Sequence, residues 1–371
     1  MDDPHSAWVA LAMVLAERPR SAWKLLKRHG SPEAVFRVSP EELAAAGLRP
    51  DEAAEIVSGR ARERAARELE RLRKRGAKVL TFESGAFPPG LREVFDPPLA
   101  LYVAGEPDAL AGPAVAIVGA RRPTAYGRAV AEKLAGDLAR RGLVVVSGLA
   151  RGIDATAHWG ALREGGRTVA VLGSGLDVVY PRENRGLAAK IAAAGGAVIT
   201  EQPLGAEPIG FHFPLRNRLI SGLSLGLIVV EAAERSGSLI TARLALEQGR
   251  EVMAVPGPVT SPLCRGTHGL LKAGAAVVES WEDVAEALPA PWRDELLAER
   301  EGEGRSKAAD ADLSPEERRV RDLVPPDAEV AIDDLAEAVD FSVAELLAVL
   351  LSLELKGLVA AGPGKLYRRR L

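Results

Sequence analysis

The residues Leu143-Val-Val-Val-Ser-Gly-Leu-Ala-Arg-Gly-Ile-Asp154 contain the pattern that decides the fold. An apolar run precedes a glycine-containing turn, and a helical pattern follows. The run lacks polar alternation, which predicts a strand covered on both faces. Further short β-rich runs alternate with helical patterns: Ala114–Val118, Thr168–Leu172, Ala197–Thr200, Leu225–Val230, Glu251–Val255 and Ala275–Val278. This order predicts an α/β fold with an extended Rossmann-like, doubly wound and mostly parallel sheet.

The sequence on either side of this region has a different texture, and the chain divides into four segments. Residues 1–75 have apolar residues at three- and four-residue spacing, which predicts a helical domain with a SAM-like or helix-hairpin-helix-like motif as the alternative to plain packing. Residues 76–289 form the Rossmann-like domain, and the charge-dense residues 290–312 are predicted to be a linker. Residues 313–371 are predicted to form three helices and a hairpin, which indicates a winged-helix-like domain.

Composition excludes several classes of protein. The apolar fraction of 47% excludes an intrinsically disordered chain, and the single cysteine, Cys264, excludes a disulfide framework or a cysteine-based zinc site. No run approaches the roughly 18 apolar residues that a membrane span needs, and the N-terminus lacks the basic flank of a signal peptide. We therefore expect a soluble cytoplasmic protein without a membrane partner. With 48 basic and 51 acidic residues, nucleic-acid binding would require locally clustered arginines.

Glycine, serine and arginine follow the predicted strands at the edge where parallel sheets bind ligands. The first four strand ends are followed by Gly119, Arg121 and Arg122; by Ser147, Gly148 and Arg151; by Tyr180, Arg182 and Asn184; and by Phe211, Phe213, Arg216, Asn217 and Arg218. Glycine allows close backbone approach, serine caps helices whose N–H groups attract anions, and arginine matches phosphate oxygens. The shared edge therefore predicts contacts to several phosphates.

Aromatic residues are only 4% of the chain, yet three of them stand beside these cations. Phe211 and Phe213 precede the Arg216–Arg218 segment, and Tyr180 precedes Arg182. Aromatic rings beside cations are typical of single-stranded nucleic-acid sites, where each stacked base contributes about 1–3 kcal/mol. One of the two phenylalanines could instead belong to the core.

Catalytic interpretations are weaker than binding ones. Asp154 and His158 share a helix face and could form a dyad, but capping and packing roles are favoured. Glu201 and Glu231 end strands and could act as bases, although we expect them to orient arginines. The G-x-G-x-x-G fingerprint is absent after the first strand, and no residue set has metal-ligand spacing. We therefore predict no catalytic residue, no metal and no cofactor.

Several motifs together resemble one known family. They are Gly119-Ala-Arg121, Ser147–Asp154, Gly173–Asp177 with Tyr180-Pro181 and Asn184, Phe213–Arg218, Ser236–Ala242 and Val255-Pro-Gly257. Over roughly residues 80–280 the chain resembles the DNA-processing family called DprA or Smf. The resemblance implies a non-enzymatic protein that binds single-stranded DNA, protects DNA taken up in natural transformation, helps load the RecA recombinase and forms a homodimer through the Rossmann-like domain. It also implies that the strand-end residues named above contact DNA, with the exception of Arg122, Tyr180 and Phe211.

The sequence departs from the family pattern at two positions, and one enzymatic alternative stays open. Ala120 stands where the family usually has serine, which removes a hydroxyl donor, and His268 stands where asparagine is usual. The chain also looks distantly like the nucleotide phosphoribohydrolases related to the lysine decarboxylase-like fold. Their P-G-G-x-G-T-x-x-E pattern is missing here, which favours the binding protein.

Overall fold

The structure is a computed structural model that describes residues 3–16, 18–298, 313–324, 330–339, 341–355, 358–362 and 366–369. The chain divides into two compact units, residues 1–296 and residues 297–371. Among the described residues, every helix is too short or too polar to cross a bilayer.

A nine-stranded sheet organises the first unit. Its strands are β1 (Lys78–Thr81), β2 (Ala100–Gly105), β3 (Ala114–Val118), β4 (Val144–Ser147), β5 (Thr168–Val171), β6 (Ala197–Thr200), β7 (Gly226–Val229), β8 (Glu251–Ala254) and β9 (Ala276–Val277), in the order β1-β2-β6-β5-β4-β3-β7-β8-β9. Strands β3 to β9 pair in parallel, which confirms the predicted α/β, doubly wound and mostly parallel fold. The strand order reverses beside β3, so a ligand crevice is expected there.

The two strands at one edge of the sheet were not predicted. β1 pairs with β2, and β2 pairs with β6, in both cases antiparallel. The segment that joins β1 to β2 contains a single short helix, α7 (Pro89–Arg92). It therefore lacks the long helical crossover by which the other strands were recognised.

Helices cover both faces of the sheet, as the continuous apolar strands require. They are α8 (Ala125–Arg140), α9 (Ile153–Arg163), α10 (Arg185–Ala193), α11 (His212–Gly222), α12 (Gly237–Glu247), α13 (Arg265–Lys272) and α14 (Trp281–Ala287). Leu219 and Ile220 of α11 pack with Ala242 of α12 in the core on one face of the strands. The helices α9, α11 and α12 all begin near the carboxyl ends of the parallel strands, which brings their first turns to the crevice.

The N-terminal residues form the predicted helical region. The helices are α1 (Ser6–Val14), α2 (Pro19–His29), α3 (Pro32–Val35), α4 (Pro40–Ala45), α5 (Pro50–Val57) and α6 (Arg60–Lys74). The helices α5 and α6 are separate because Gly59 adopts a left-handed φ of 78° between them. Trp8 and Leu25 pack in a core that also includes Leu99, just before β2.

In the second unit, the described residues from 313 onward form three helices and a small sheet, as predicted for a winged-helix-like domain. The elements are α15 (Pro315–Leu323), β10 (Val330–Ala331), α16 (Ile332–Ala338), α17 (Val343–Leu355), β11 (Val359–Gly362) and β12 (Leu366–Arg369). A capping box begins α17, since Ser342 N donates to Glu345 Oε2 at 2.8 Å and Glu345 N to Ser342 Oγ at 3.3 Å. Of the predicted linker, residues 292–298 are helical and residues 299–312 lie outside the described residues.

Candidate nucleic-acid interface

A cavity of about 560 Å³ lies at the carboxyl ends of the parallel strands. It is lined by residues from the turns after β3, β4 and β5 and from the first turns of α11 and α12. The structure brings together six predicted site residues there: Gly119, Arg121, Tyr180, Phe213, Arg216 and Asn217. Residues that are far apart in the chain thus meet at the predicted edge of the sheet.

Arg216 is the buried cation of the cavity. Only 7% of the residue is exposed, and its Nη1 donates to the carbonyl oxygen of Gly148 at 2.6 Å and to that of Val171. The guanidinium lies so close to Gly148 that a Cβ added there would be 2.6 Å from Nη1. Burial lowers the pKa of Arg216 to about 10, against the opposing effect of the Asp154 carboxylate. Arg216 therefore holds a positive charge in a fixed position.

The turn from Gly148 to Ala150 is held from both sides by polar side chains. Asp154 Oδ2 accepts hydrogen bonds from the N–H groups of Gly148 at 3.2 Å and Ala150 at 3.3 Å. Asn184 Nδ2 donates to the carbonyl oxygens of Leu149 at 2.8 Å and Ala150 at 3.3 Å. Leu149 sits at a left-handed φ of 56°, and these bonds stabilise that strained conformation. The amide of Asn184 therefore positions the turn, and a DNA contact by this residue stays a prediction.

Two aromatic rings stand at the cavity. The ring centroids of Tyr180 and Phe213 are 5.8 Å apart, with an angle of 57° between the ring planes. The Phe213 ring also lies 6.0 Å from the guanidinium carbon of Arg121 and 5.8 Å from that of Arg216. Phe211 is 55% exposed and does not line the cavity, so neither phenylalanine belongs to the core. Phe213 is the residue that joins the aromatic and cationic parts of the site.

Two predicted site residues are turned away from the cavity. Ser147 is fully buried, and its Oγ donates to the carbonyl oxygen of Ile117 at 2.6 Å, so its hydroxyl ties β4 to β3. Arg218 is 8% exposed, and its Nη2 donates to Glu201 Oε1 at 2.6 Å. Successive residues of an α-helix are about 100° apart around its axis. Arg218 therefore lies on a different face of α11 from Arg216, which lines the cavity. The side chains of Ser147 and Arg218 thus make structural contacts away from the cavity, and a DNA contact by either residue stays a prediction.

Three further predicted arginines are exposed outside the main cavity. Arg151 forms a two-bond ion pair with Glu183, from Nε at 2.6 Å and from Nη2 at 2.8 Å, and lies at a small adjoining hollow. Arg122 and Arg182 are exposed and do not line the cavity. These side chains belong to the surface around the cavity rather than to its wall.

The two strand-end glutamates have different partners. Glu201 binds Arg218, as expected of a residue that orients an arginine. Glu231 is 1% exposed and accepts from Thr124 N at 2.9 Å and from Thr124 Oγ1 at 2.6 Å, so it anchors the start of α8. The expectation that Glu231 orients an arginine is therefore wrong. Within the described residues, no group of three His, Cys, Asp or Glu side chains is arranged to hold a metal.

His158 does not form a dyad with Asp154. Its Nδ1 lies 2.7 Å from Thr168 Oγ1, and that hydroxyl donates to the carbonyl oxygen of Val145 at 2.5 Å. The threonine proton is thus used, so His158 donates from Nδ1. Burial, helped by the Arg216 charge, lowers the pKa of His158 to about 3. The favoured interpretations of capping for Asp154 and packing for His158 agree with these contacts.

The first turn of α12 also lines the cavity, and no contact was predicted for it. Ser236 caps this helix by accepting from Ser238 N at 3.3 Å, and Ser236, Gly237, Ser238 and Thr241 reach the cavity. A helix start presents free N–H groups and partial positive charge, which favours anions. The signal was present in the sequence, because a Ser-Gly-Ser segment follows a strand and precedes a helical pattern.

Comparison with known proteins gives consistent matches. Residues 78–289 match the family model described as DNA recombination-mediator protein A, and residues 304–365 match the DprA winged helix domain. Protein Smf of Escherichia coli (strain K12) is 42% identical over 300 residues, which are 79% of this chain and 77% of that protein. The X-ray structure of DNA processing protein A from Streptococcus pneumoniae is 35% identical, with a TM-score of 0.68, and the match covers 78% of this chain and 99% of that one. A structure of the Helicobacter pylori protein, described for its single-stranded DNA binding mode, is 33% identical, with a TM-score of 0.51 and coverage of 56% and 94%.

We expect Gly148→Ala to destabilise the protein. The added Cβ would displace the Arg216 guanidinium from its carbonyl partners, and an unsatisfied buried donor costs about 1–3 kcal/mol. The free energy of unfolding, measured by denaturant titration, should fall by that amount. Gly186→Ala is the matched control, because an added Cβ at Gly186 meets nothing within 4 Å. Equal stability of the two variants would contradict the close packing of Arg216 on Gly148.

We expect His158 to make stability depend on acid pH. Its pKa is about 3 in the folded protein against an ordinary 6.5, so below pH 6.5 the unfolded chain binds a proton that the folded chain does not. The contribution of His158 to the free energy of unfolding is therefore complete above pH 6.5. It is lost as the pH falls towards 3, by up to about 1.4 kcal/mol per pH unit. Denaturant titrations at several pH values should show a shallower acid dependence for His158→Gln. Parallel curves for the two proteins would refute this.

Proposed function

The chain belongs to the DprA/Smf family of DNA-processing proteins, and from that premise we propose that its cavity binds single-stranded DNA without catalysis. The observation that carries the proposal is the meeting of Arg121 and Arg216 with Phe213 and Tyr180 at one cavity. Cations bind the phosphates and aromatic rings stack on unpaired bases, which is the combination that single strands need.

The charges of the cavity favour an anion between them. Arg216 donates to carbonyl oxygens, and the neighbouring charge of Arg121 acts to lower its pKa. A phosphate between the two guanidinium groups would relieve this repulsion, and the first turn of α12 offers N–H donors on the same cavity. The proposed phosphate contacts are therefore Arg121, Arg216 and the start of α12.

The geometry of the two rings favours unpaired bases. Because the planes of Tyr180 and Phe213 are inclined at 57°, neither ring covers the face of the other. A base can therefore stack on either ring, whereas the bases of a duplex are already stacked on their neighbours. We propose that single strands are preferred over duplex DNA for this reason.

The hydrolase alternative lacks support from the carboxylates. A phosphoribohydrolase would need an available carboxylate at the sugar, but Glu231 is bound to Thr124 and Glu201 to Arg218. Asp154 lines the cavity, yet its Oδ2 is engaged by two backbone N–H groups. These contacts favour a binding protein over an enzyme.

Family membership supports a proposal for the cellular role and the partners. We propose that the protein protects incoming DNA in natural transformation, helps load RecA, and acts as a homodimer through the Rossmann-like domain. Exposed apolar side chains on the β7–β9 side of the sheet support self-association. They are Leu246 at 60%, Val259 at 85% and Val277 at 52% exposure.

The winged-helix-like unit is a poor candidate for the DNA site. A DNA-reading helix normally carries basic or amide side chains. The charged residues of α17 are Glu345 and Glu354, and Val343 and Leu351 are exposed apolar residues on it. We propose that this unit contacts protein rather than DNA.

We expect labelled single-stranded oligonucleotides to bind more tightly than duplexes of equal length in anisotropy titrations at two ionic strengths. Arg121→Ala should weaken binding for all sequences alike and reduce the salt slope by about 0.7, the value for one phosphate on a single strand. Arg163→Ala is the control, since Arg163 lies at the far end of α9 and pairs with Glu132. Unchanged affinity of Arg121→Ala would remove this residue from the site, and release of free base from nucleoside monophosphates would favour the hydrolase.

We expect deletion of residues 313–371 to leave the affinity for single strands within about threefold, because the proposed phosphate contacts lie in the first unit. The same anisotropy titration measures the effect. A much larger loss would show that the second unit takes part in strand binding.

A further inference from the structure

Two irregular loops lead to the aromatic side of the cavity. Residues 172–180 end at Tyr180, and residues 201–211 run into α11, which carries Phe213. Neither loop contains a helix or a strand, so hydrogen bonds with other parts of the chain must fix its path. One backbone hydrogen bond joins the two loops directly, from Gly175 N to the carbonyl oxygen of Ala206 at 2.9 Å, and α6 in the N-terminal helical region supplies further contacts from side chains.

Glu68 and Arg71 of α6 hold both backbone groups of Leu204. Glu68 Oε1 accepts from Leu204 N at 2.5 Å. Arg71 Nη1 donates to Glu68 Oε2 at 3.0 Å and to the carbonyl oxygen of Leu204 at 3.4 Å. The 201–211 loop is therefore anchored to the helix at this residue.

Asp177 extends the same contacts to the second loop. Its Oδ1 accepts from Gly205 N at 2.7 Å, and its Oδ2 lies 3.8 Å from Arg71 Nη2 and 3.8 Å from Arg75 Nη2. Asp177 is three residues before Tyr180 in the chain. The two loops are thus tied to each other and to α6.

Glu68 occupies a position where packing alone would favour an apolar residue. The buried residues of α6 are Ala61, Ala65, Glu68 and Leu72, which form one face of the helix, and Glu68 is 2% exposed. A buried carboxylate is costly unless its hydrogen bonds are satisfied. Its presence on this face indicates a specific task, and the bond to Leu204 N identifies that task as holding the loop.

We propose that Glu68 and Arg71 are positioning residues of the DNA site, which fix the two loops so that Tyr180 and Phe213 are presented to the bases. This inference rests on the proposed function, because it explains which residues hold the two aromatic rings in place for stacking on the bases of a bound strand. The N-terminal helical region thereby contributes to strand binding without touching the strand.

The test compares two single strands of equal length, oligothymidine and an abasic strand, which share phosphates and differ in bases. Loss of one stacked base corresponds to about fivefold or more in affinity, so Arg71→Ala and Glu68→Ala should reduce the preference for oligothymidine by at least about fivefold. The salt slope should stay unchanged, because Arg121 and Arg216 still bind phosphate. Glu68→Gln keeps an acceptor for Leu204 N and should restore most of the preference.

Arg67→Ala is the matched control. Arg67 lies one turn before Arg71 on α6, is 67% exposed, and pairs with Glu63 at 3.8 Å, so the change in charge is the same. A second measurement needs no DNA: amide hydrogen exchange in residues 172–180 and 201–211 should be faster in Arg71→Ala than in Arg67→Ala.

The outcomes separate the two proposals. Equal loss of affinity for both strands, or wild-type preference and wild-type exchange in Arg71→Ala and Glu68→Ala, would overturn the positioning role. A wild-type protein that binds neither strand would instead contradict the proposed function, whatever the exchange data show. Faster exchange together with loss of the base-dependent preference supports the inference.

Discussion

The site depends on one buried guanidinium. Arg216 lies between the carbonyl oxygens of Gly148 and Val171, at the carboxyl ends of β4 and β5, and it is almost inaccessible to solvent. The carbonyl oxygens accept from its Nη1 without neutralising its charge, and its buried Nε has no hydrogen-bond partner among the described residues, so the positive potential remains in the cavity. The requirement for space explains Gly148, and the requirement for a fixed turn explains Asp154 and Asn184. These residues are best understood as the support of one cation.

A buried cation of this kind is costly in the free protein and useful when an anion arrives. Burial disfavours the charged form of Arg216, while Asp154 compensates only in part. A phosphate entering the cavity would be recognised by a side chain that is already ordered, so little conformational entropy is lost on binding. Asp154 therefore has two roles. Its charge stabilises the Arg216 cation, and its hydrogen bonds hold the backbone turn on which that cation packs.

The fold was accessible from the sequence because apolar runs and helical patterns are local signals, and the parallel strands β3 to β9 are where they were predicted. The antiparallel strands β1 and β2 were missed because no long helix marks the connection between them. At the site, the positions of Arg121 and Arg216 after predicted strands were enough to place them at the edge of the sheet. The direction in which a side chain points depends on tertiary packing, which these positions do not show. Ser147 therefore turned inward, and Arg218 turned to Glu201. The bond of Glu68 to Leu204 joins residues 136 positions apart, a separation at which no sequence pattern reports contact.

The buried and the exposed arginines would act on different steps of strand binding. Arg216 is fixed and buried and Arg121 lines the same cavity, whereas Arg122, Arg151 and Arg182 are exposed on the surface around it. Exposed charges attract a strand over a Debye length of about 10 Å and are readily screened by salt, so they act mainly on the rate of encounter. A buried charge is screened less and acts after the phosphate has entered. With the protein's net charge at −3, the attraction of DNA that we propose would have to come from this local set rather than from the molecule as a whole. The clustering of arginines at one sheet edge supplies the local positive charge that the acidic chain lacks overall.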